Sequence, residues 1–162
     1  MENIIELTDS NVITNILNKA FMTVALEFNF TKENAPRFGA FITPDRIEYQ
    51  LHNGLTMYGY TVNDQLAGCA GFSFYKDQIY LIERLATLPE YRHLGIGRKL
   101  MNFTEHKIAE CNGTIAEVHV VDINLRLINW YKRLGYNYIR VDIIGDGTLP
   151  FNSYAMNKNL EL

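Results

Sequence analysis

Cysteine and proline are scarce in this sequence, and long apolar runs are missing from it. Two cysteines, Cys69 and Cys111, and four prolines occur among 162 residues. Two thiols without a signal peptide favour reduced side chains in the cytoplasm over a disulfide framework. No apolar run approaches the roughly 20 residues that span a bilayer. The sequence therefore predicts a cytoplasmic protein without a membrane partner.

An excess of either charge is missing as well. The chain has 15 basic and 18 acidic residues, with a formal net charge of -3. Such a balance provides no general electrostatic attraction for nucleic acid, so any phosphate recognition has to be local. Hydrophobic residues make up 48% of the sequence, which is enough for one filled core in a chain of this length. We expect a single domain over residues 1–162.

The spacing of apolar residues predicts an alternation of helices and strands. Helices are expected after Ser10, from Pro44 to about Gly54, from Gly95 to Cys111 and from Leu125 to Leu134. Strands are expected at Ile4–Ile5 and over residues 55–62, 66–75, 79–87, 114–121, 136–144 and 152–156. The three strands between residues 55 and 87 form an antiparallel meander. The strands on either side of the third helix should be parallel neighbours joined by a right-handed crossover.

The segment Arg92-His93-Leu94-Gly95-Ile96-Gly97 lies between a predicted strand and a predicted helix. Unpaired N–H groups at the start of a helix meet the positive end of its dipole, which makes such a turn an anion site. Two glycines allow close approach of a ligand to the backbone. Positive charge is available from Arg92, His93, Arg98 and Lys99. A diphosphate fits this turn, although a plain tight turn with a solvated helix start fits the same residues.

A dinucleotide-binding fold is the alternative interpretation of this turn. Glu117 lies about 20 residues after Gly97, where that fold carries a ribose-binding acid. Two features argue against it: Leu100 replaces the third glycine, and the link from Thr87 to Leu94 is longer than the short turn of that fold. The P-loop pattern Gly-x-x-x-x-Gly-Lys-Ser/Thr does not occur in the sequence.

The hexapeptide from Arg92 to Gly97 resembles the Arg/Gln-x-x-Gly-x-Gly/Ala signature of the GNAT acetyltransferase superfamily. Residues 85–91, Leu-Ala-Thr-Leu-Pro-Glu-Tyr, resemble the strand and turn before that signature. Residues 124–136 resemble the later Asn, Tyr and Leu-Gly-aromatic pattern of the family. The resemblance is clear from about Asn63 to Tyr138, and Leu127 departs from it where many members have Ala.

This resemblance implies a fold class and a coenzyme. The fold is α/β (α+β): a mixed, mostly antiparallel sheet of six to seven strands, with helices on both faces and a V-shaped splay between strands 4 and 5. Acetyl-CoA would lie in that V, with its pantetheine amides paired to the backbone of Leu85 and Thr87. The pyrophosphate would contact Arg92, His93, Leu94, Gly95, Ile96, Gly97 and Arg98. No metal ion is expected at the site.

Two asparagines on the following helix are further candidates for coenzyme contacts. Asn124 opens that helix, and an N-cap role fits its position as well as a coenzyme contact does. Asn129 lies on the same helix, where a solvent-facing side chain fits the spacing equally well. We include both as predicted coenzyme-binding residues on the strength of the resemblance.

Tyr131 is the predicted general acid. Its position on an apolar helical stripe alone indicates a buried aromatic residue. In the family that it resembles, the matching tyrosine points at the coenzyme sulfur, and a phenol can protonate a departing thiolate.

A base must also take a proton from the acceptor's ammonium group. Glu83 is the first candidate, because a carboxylate in the apolar run Leu81–Leu85 indicates either function or pairing with an arginine. It is expected to share a strand face with Leu85. His119, on the same strand as Glu117, and a water molecule are the other candidates.

The resemblance implies an N-acetyltransferase in which a primary amine attacks acetyl-CoA directly in a ternary complex, without a Ser or Cys nucleophile. A CoA-binding sensor that does not turn over and an NAD-binding oxidoreductase domain are the alternatives. Residues 28–60 are expected to build the acceptor pocket, which could be lined by Tyr49, Tyr58, Tyr60 and Tyr75. No residue pattern selects the acceptor. The β-rich C-terminal segment offers an edge through which a homodimer can form.

Overall fold

The computed structural model of the protein describes residues 1–161, which form seven strands, four α-helices and one 3-10 turn. The strands are β1 (Glu2–Leu7), β2 (Thr56–Val62), β3 (Gln65–Lys76), β4 (Ile79–Thr87), β5 (Ile115–Val121), β6 (Asn137–Asp142) and β7 (Ser153–Asn159). The helices are α1 (Ser10–Phe28), α2 (Pro44–His52), α3 (Ile96–Glu110) and α4 (Leu125–Arg133), and the 3-10 turn is Pro89–Tyr91. The predicted order of helices and strands is confirmed. No helix within these residues is both long and apolar enough to cross a membrane.

Local sequence explains where the first two helices begin and end. The Asp9 carboxylate accepts hydrogen bonds from the N–H groups of Asn11, at 2.8 Å, and Val12, at 3.2 Å, and so caps α1. Asn29 ends that helix in the left-handed conformation, with its N–H bonded to a carbonyl of the last turn. Pro44 opens α2, where the missing proline N–H costs nothing.

The seven strands form one sheet in the order β1-β2-β3-β4-β5-β7-β6. All neighbours are antiparallel except β4 and β5, which are parallel. Their ladder has three pairs and ends at Leu81 and Glu117. Beyond that pair the two strands diverge, so the predicted V-shaped splay between strands 4 and 5 is present. The backbone edge of β4 from Ile82 onward has no strand partner on the β5 side within the described chain.

A β-bulge interrupts β4 at Arg84, whose φ is 56°. Glu83 pairs with Gly71 and Ala86 pairs with Cys69, so two residues of β4 face one residue of β3. The extra residue reverses the alternation of side chains. Glu83 therefore does not share a face with Leu85, and that expectation is wrong.

Helices cover both faces of the sheet. On one face, α1 and α2 pack through residues such as Ile13, Leu17 and Ile47 against β2, β3 and β4. On the other face, α3 and α4 bury residues such as Met101 and Ile128 against β4, β5 and β7. The splay between β4 and β5 therefore opens toward both helical layers.

A cluster of phenylalanines joins two loops on the α1 side of the sheet. Phe30 and Phe38, in the loop of residues 29–43, lie 4.8 Å and 6.3 Å from the ring of Phe151, measured between ring centroids. Phe151 belongs to the loop between β6 and β7. This aromatic contact holds the two loops together over the splayed strands.

Candidate active site

The turn before α3 presents backbone donors. Gly95 is the N-cap with φ 77° and makes no side-chain cap bond, and His93 is also left-handed with φ 66°. The first helical bond runs from the Lys99 N–H to the Gly95 carbonyl at 3.1 Å. The N–H groups of Ile96, Gly97 and Arg98 come before that bond, so the helix does not use them. Together with the helix dipole they form an anion site.

Two of the basic side chains near this turn are directed elsewhere. Arg92 donates from Nε to the Thr87 carbonyl at 3.2 Å and from a terminal nitrogen to the Ala20 carbonyl at 2.8 Å. Burial lowers the pKa of its guanidinium. Lys99 forms an ion pair with Glu2 at 2.6 Å. The Arg92 side chain therefore ties the turn to α1 and β4. Only its main chain is left to contact a ligand.

The turn before α3, the end of β4 and helix α4 meet around Gly97. A Cβ atom at this position would lie 3.4 Å from Cζ2 of Trp130 on α4 and 3.8 Å from Oγ1 of Thr87 at the end of β4. The anion site is therefore continuous with the open edge of β4. A ligand with a diphosphate and an amide-bearing arm fits this arrangement, because donors and unpaired strand backbone follow one another.

A cleft of about 550 Å³ lies where β4 and β5 diverge. Four residues that the sequence singles out line it: Glu83, Leu85, His119 and Tyr131. The other lining residues are Phe21, Arg37, Leu81, Ile82, Arg84, Val120, Val121, Leu127, Asp142, Ile144, Phe151, Asn152 and Ser153. The candidate acid and both candidate bases thus meet in one cavity.

Tyr131 enters the cleft from α4. It is 6% exposed, and its ring packs against Trp130 and Tyr136 with centroids 5.1 Å and 5.6 Å away. Burial raises the pKa of its phenol. The hydroxyl therefore keeps its proton at neutral pH, so it is present in the cleft as a hydrogen-bond and proton donor.

Glu83 enters from β4 and is partly buried. Its carboxylate accepts a hydrogen bond from Ser73 Oγ at 2.6 Å. Arg84, the bulged residue beside it, donates to the side-chain oxygen of Gln50 at 3.1 Å, and burial lowers the pKa of this guanidinium. Within the described chain Glu83 and Arg84 form no ion pair, although both residues line the cleft.

His119 enters from β5 at the head of a chain of charged groups. Its Nε2 lies 2.7 Å from a carboxylate oxygen of Glu117, and Arg140 donates to that same oxygen at 3.1 Å. Arg140 also bonds both oxygens of Asp142, at 3.0 Å and 2.9 Å. Sequence reasoning identified His119 and Glu117 and missed the other two. The signal was the alternation of opposite charges at positions 140 and 142, which places both on one face of a strand.

The two predicted asparagines lie outside the cleft lining. Asn124 is the N-cap of α4 and accepts from the Leu127 N–H at 3.3 Å. Asn129 is exposed on the same helix. Their predicted contacts with the coenzyme stay predictions.

The four tyrosines considered as walls of an acceptor pocket do not line this cleft, so that role stays a prediction. None of Tyr49, Tyr58, Tyr60 and Tyr75 is among the cleft-lining residues of the described chain. The hydroxyl of Tyr60, for example, bonds to Glu2 at the far side of the sheet. From residues 28–60 the cleft receives Arg37, and its aromatic walls come from Phe21 and Phe151.

Comparison with known proteins agrees with this architecture. Residues 19–136 match the family described as the Acetyltransferase (GNAT) family. The chain therefore belongs to the GNAT acetyltransferase family. An N-acetyltransferase of Chlorobaculum tepidum, itself uncharacterized, is 36% identical over 75 residues. Those residues are 46% of this chain and 45% of the relative, so the match spans about half of each.

Solved structures show the same fold over nearly the whole chain. The ribosomal-protein-S18-alanine N-acetyltransferase from Escherichia coli has a TM-score of 0.77 at 16% identity, covering 100% of this chain and 96% of that chain. The PaiA N-acetyltransferase from Thermoplasma acidophilum, in complex with coenzyme A, has a TM-score of 0.77 at 14% identity, covering 98% and 99%. Ard1 from Thermoplasma volcanium has a TM-score of 0.76 at 20% identity, covering 99% of each. The predicted family, acetyltransferase class and fold are confirmed.

Proposed function

We propose that the protein transfers the acetyl group of acetyl-CoA to a primary amine, by direct attack of that amine in a ternary complex. One observation carries the proposal. Unused N–H donors at the start of α3 and an open backbone edge of β4 occur in the same fold as a cleft that Leu85 of β4 and the buried Tyr131 line. The proposal covers residues 1–162 as one acetyltransferase domain in the cytoplasm.

The coenzyme-binding residues of the proposal act mostly through the main chain. Residues 92–98 would hold the pyrophosphate, and the backbone of Leu85 and Thr87 would pair with the pantetheine arm. The Thr87 carbonyl already accepts from Arg92, so its N–H is the group offered to a ligand. Asn124 and Asn129 complete the proposed set. When bound, the coenzyme supplies an activated thioester carbonyl and a thiol leaving group.

The chain itself supplies proton transfers. Tyr131 would donate its phenolic proton to the sulfur as the carbon–sulfur bond breaks. Glu83 would face the acceptor's ammonium group, either as its anionic partner or as the group that takes its proton. Direct attack is supported by the state of the cysteines: burial raises the pKa of the Cys69 thiol to about 12, and Cys111 is exposed at the end of α3. Neither lines the cleft.

The residues that line the cleft favour an acceptor amine that carries an apolar group. Phe21, Phe151 and Ile144 present apolar surface, whereas Glu83 and Arg37 present charge of opposite sign. An ammonium group would be drawn to the carboxylate, and the remainder of the acceptor would pack against the rings. A homodimer through the outer edge of β6, which pairs with β7 on its other side, stays part of the proposal.

The experiment is a thiol-release assay with acetyl-CoA and a panel of aliphatic diamines, aromatic amines, amino acids and short peptides. An acetyltransferase releases thiol only with a suitable amine, and mass spectrometry finds the acetylated product. Tyr131→Phe separates an enzyme from a CoA-binding sensor, because the variant should bind CoA normally and lose transfer. Binding of CoA without transfer to any member of the panel would favour the sensor.

A further inference from the structure

We propose that Glu117, held by Arg140, positions His119 as the base that takes the proton of the acceptor amine. The inference rests on the proposed function and assigns a step within it that the family resemblance leaves open. Glu83 then serves as the anionic partner of the ammonium group. His119 touches the acceptor, whereas Glu117 and Arg140 act through His119 and are positioning residues.

The residue at the centre of this arrangement, Glu117, is buried and contacts both His119 and Arg140. Glu117 is 3% exposed at its side chain, and the side chains of His119 and Arg140 are each 37% exposed. The same carboxylate oxygen of Glu117, Oε1, lies 2.7 Å from Nε2 of His119 and 3.1 Å from a terminal nitrogen of Arg140. A buried carboxylate is costly unless it is paired and hydrogen-bonded. Arg140 supplies that pairing and is itself fixed by both oxygens of Asp142.

This arrangement sets the tautomer of the imidazole. An ionised carboxylate only accepts hydrogen bonds, so the neutral ring keeps its hydrogen on Nε2, toward Glu117. The other ring nitrogen, Nδ1, then carries a free lone pair. Because His119 lines the cleft, this nitrogen is the basic atom offered to an acceptor there. A carboxylate that orients a histidine in this way is a general device for preparing a base.

Several titratable and charged groups share the cleft with His119 or belong to the chain of groups that holds it. Within the described chain they are Glu117 on β5, Glu83 and Arg84 on β4, Arg140 and Asp142 on β6, Tyr131 on α4 and Arg37 in the loop of residues 29–43. An imidazole is a stronger base than a carboxylate in ordinary surroundings. The division of work is therefore attraction by Glu83 and proton transfer by His119.

The proton balance closes over the transfer. The ammonium N–H bond breaks and its proton passes to Nδ1 of His119, which leaves a neutral amine with a free lone pair. The carbon–nitrogen bond forms and the carbon–sulfur bond breaks, while Tyr131 gives its proton to the sulfur. The second nitrogen proton returns through solvent to the phenolate of Tyr131. His119 releases its proton to solvent, so the net products are the amide, the free thiol and one proton.

The first test measures the tautomer directly and needs no acceptor. Nitrogen-15 NMR of the four histidine rings, assigned with His119→Gln, should show His119 with its hydrogen on Nε2 in the folded protein. Glu117→Gln should convert this ring to a mixture of tautomers. Glu105→Gln is the matched control, because Glu105 is also a poorly exposed carboxylate paired with a lysine, Lys158, and it lies outside the cleft.

The second test measures turnover with the best amine of the thiol-release panel. His119→Gln should lower kcat about 100-fold, leave the affinity for CoA unchanged and remove one ionisation from the acid side of the kcat/KM profile. Glu117→Gln should lower kcat about tenfold with little change in the KM for acetyl-CoA. Arg140→Lys, which keeps the charge, should retain more activity than Arg140→Met.

The outcomes distinguish this inference from the proposed function. A ring with its hydrogen on Nδ1, a Glu117→Gln ring identical to the wild type, or a His119→Gln enzyme with unchanged kcat and pH profile would each overturn the positioning role. Loss of CoA binding or of all transfer in the wild type would instead contradict the proposed function, and the NMR result would still decide the tautomer.

Discussion

The site that we propose has a coenzyme end and an acceptor end, and the two ends use different chemical groups. At the coenzyme end, the ligand-facing groups are backbone N–H groups at the start of α3 and the open edge of β4, shaped by Gly95 and Gly97. At the acceptor end, they are side chains from β4, β5, β6 and two loops, with charges of both signs beside phenylalanine rings. Tyr131 lines the cleft, and in the proposal it lies between the two ends.

The difference shows which ligand contacts the backbone of the fold can make and which contacts need particular side chains. A backbone site tolerates many side chains, because its donors exist in every residue except proline. A side-chain site changes its chemistry with each substitution. We therefore expect substitutions at the coenzyme end to act through conformation or access, and substitutions at the acceptor end to act through charge and proton transfer.

The largest effect is expected at the boundary between the two ends. Tyr131→Phe removes the hydroxyl and keeps the buried ring, so kcat should fall about 1,000-fold, within the range of proton-transfer catalysis. CoA affinity, measured by calorimetry, should stay within twofold. Equal losses in kcat and in CoA affinity would mean that Tyr131 belongs to the coenzyme end alone.

Glu83→Gln should give a smaller effect than Tyr131→Phe or His119→Gln, and this effect should be confined to the acceptor. The amide keeps the size of the side chain and its bond to Ser73, and it removes the charge that attracts an ammonium group. We expect kcat/KM for the amine to fall about 30-fold with the KM for acetyl-CoA unchanged. Glu90→Gln, at an exposed carboxylate outside the cleft, is the control and should behave like the wild type.

Arg92→Ala should show that a residue of the coenzyme end acts mainly on stability. It removes two hydrogen bonds from a partly buried guanidinium to the Ala20 and Thr87 carbonyls. The free energy of unfolding should fall by about 2 kcal/mol, as measured by urea denaturation. Arg98→Ala is the comparison, because Arg98 is exposed at the helix start. It should change stability by less than about 0.5 kcal/mol.

The smallest effect is expected at the cysteines, which belong to neither end. Iodoacetamide at pH 8 should label the exposed Cys111 and spare Cys69, because burial raises the pKa of the Cys69 thiol to about 12 and shields it. The labelled protein and Cys111→Ser should retain full transfer activity. Inactivation in step with labelling would require a thiol in the mechanism and would contradict direct attack.

Sequence reasoning could predict the coenzyme end because its signals are local. Glycine spacing, helix periodicity and the strands on either side of the third helix all occur within residues 79–121, so the turn before α3 and the parallel β4–β5 pair could be placed correctly. That the turn binds an anion stays a prediction. The direction of the Arg92 side chain was not predictable, since its partner Ala20 is 72 positions away in the chain.

The acceptor end depends on contacts between distant residues. No glycine or proline at Arg84 indicates the bulge in the sequence. The bulge nevertheless places Glu83 and Leu85 on opposite faces of the sheet. Strand β7 lies between β5 and β6 in the sheet, and this placement brings Arg140 within reach of Glu117. Periodicity predicts the face of a strand or helix on which a residue lies. It does not predict which residues of other elements that face will contact.

The most direct measurement is calorimetric titration with acetyl-CoA, CoA and NAD of the wild type, Gly97→Trp and Leu94→Ala. Both CoA species should bind the wild type in the micromolar range and NAD should not bind. Gly97→Trp should lose CoA binding, because a side chain there projects between Trp130 and Thr87 at the anion site. Leu94→Ala, at an exposed side chain, should bind like the wild type, since its contact would use the main chain. A folded wild-type protein that binds neither CoA species, or a folded Gly97→Trp variant that binds them unchanged, would contradict the coenzyme site. Binding of NAD alone would point to the dinucleotide-binding alternative.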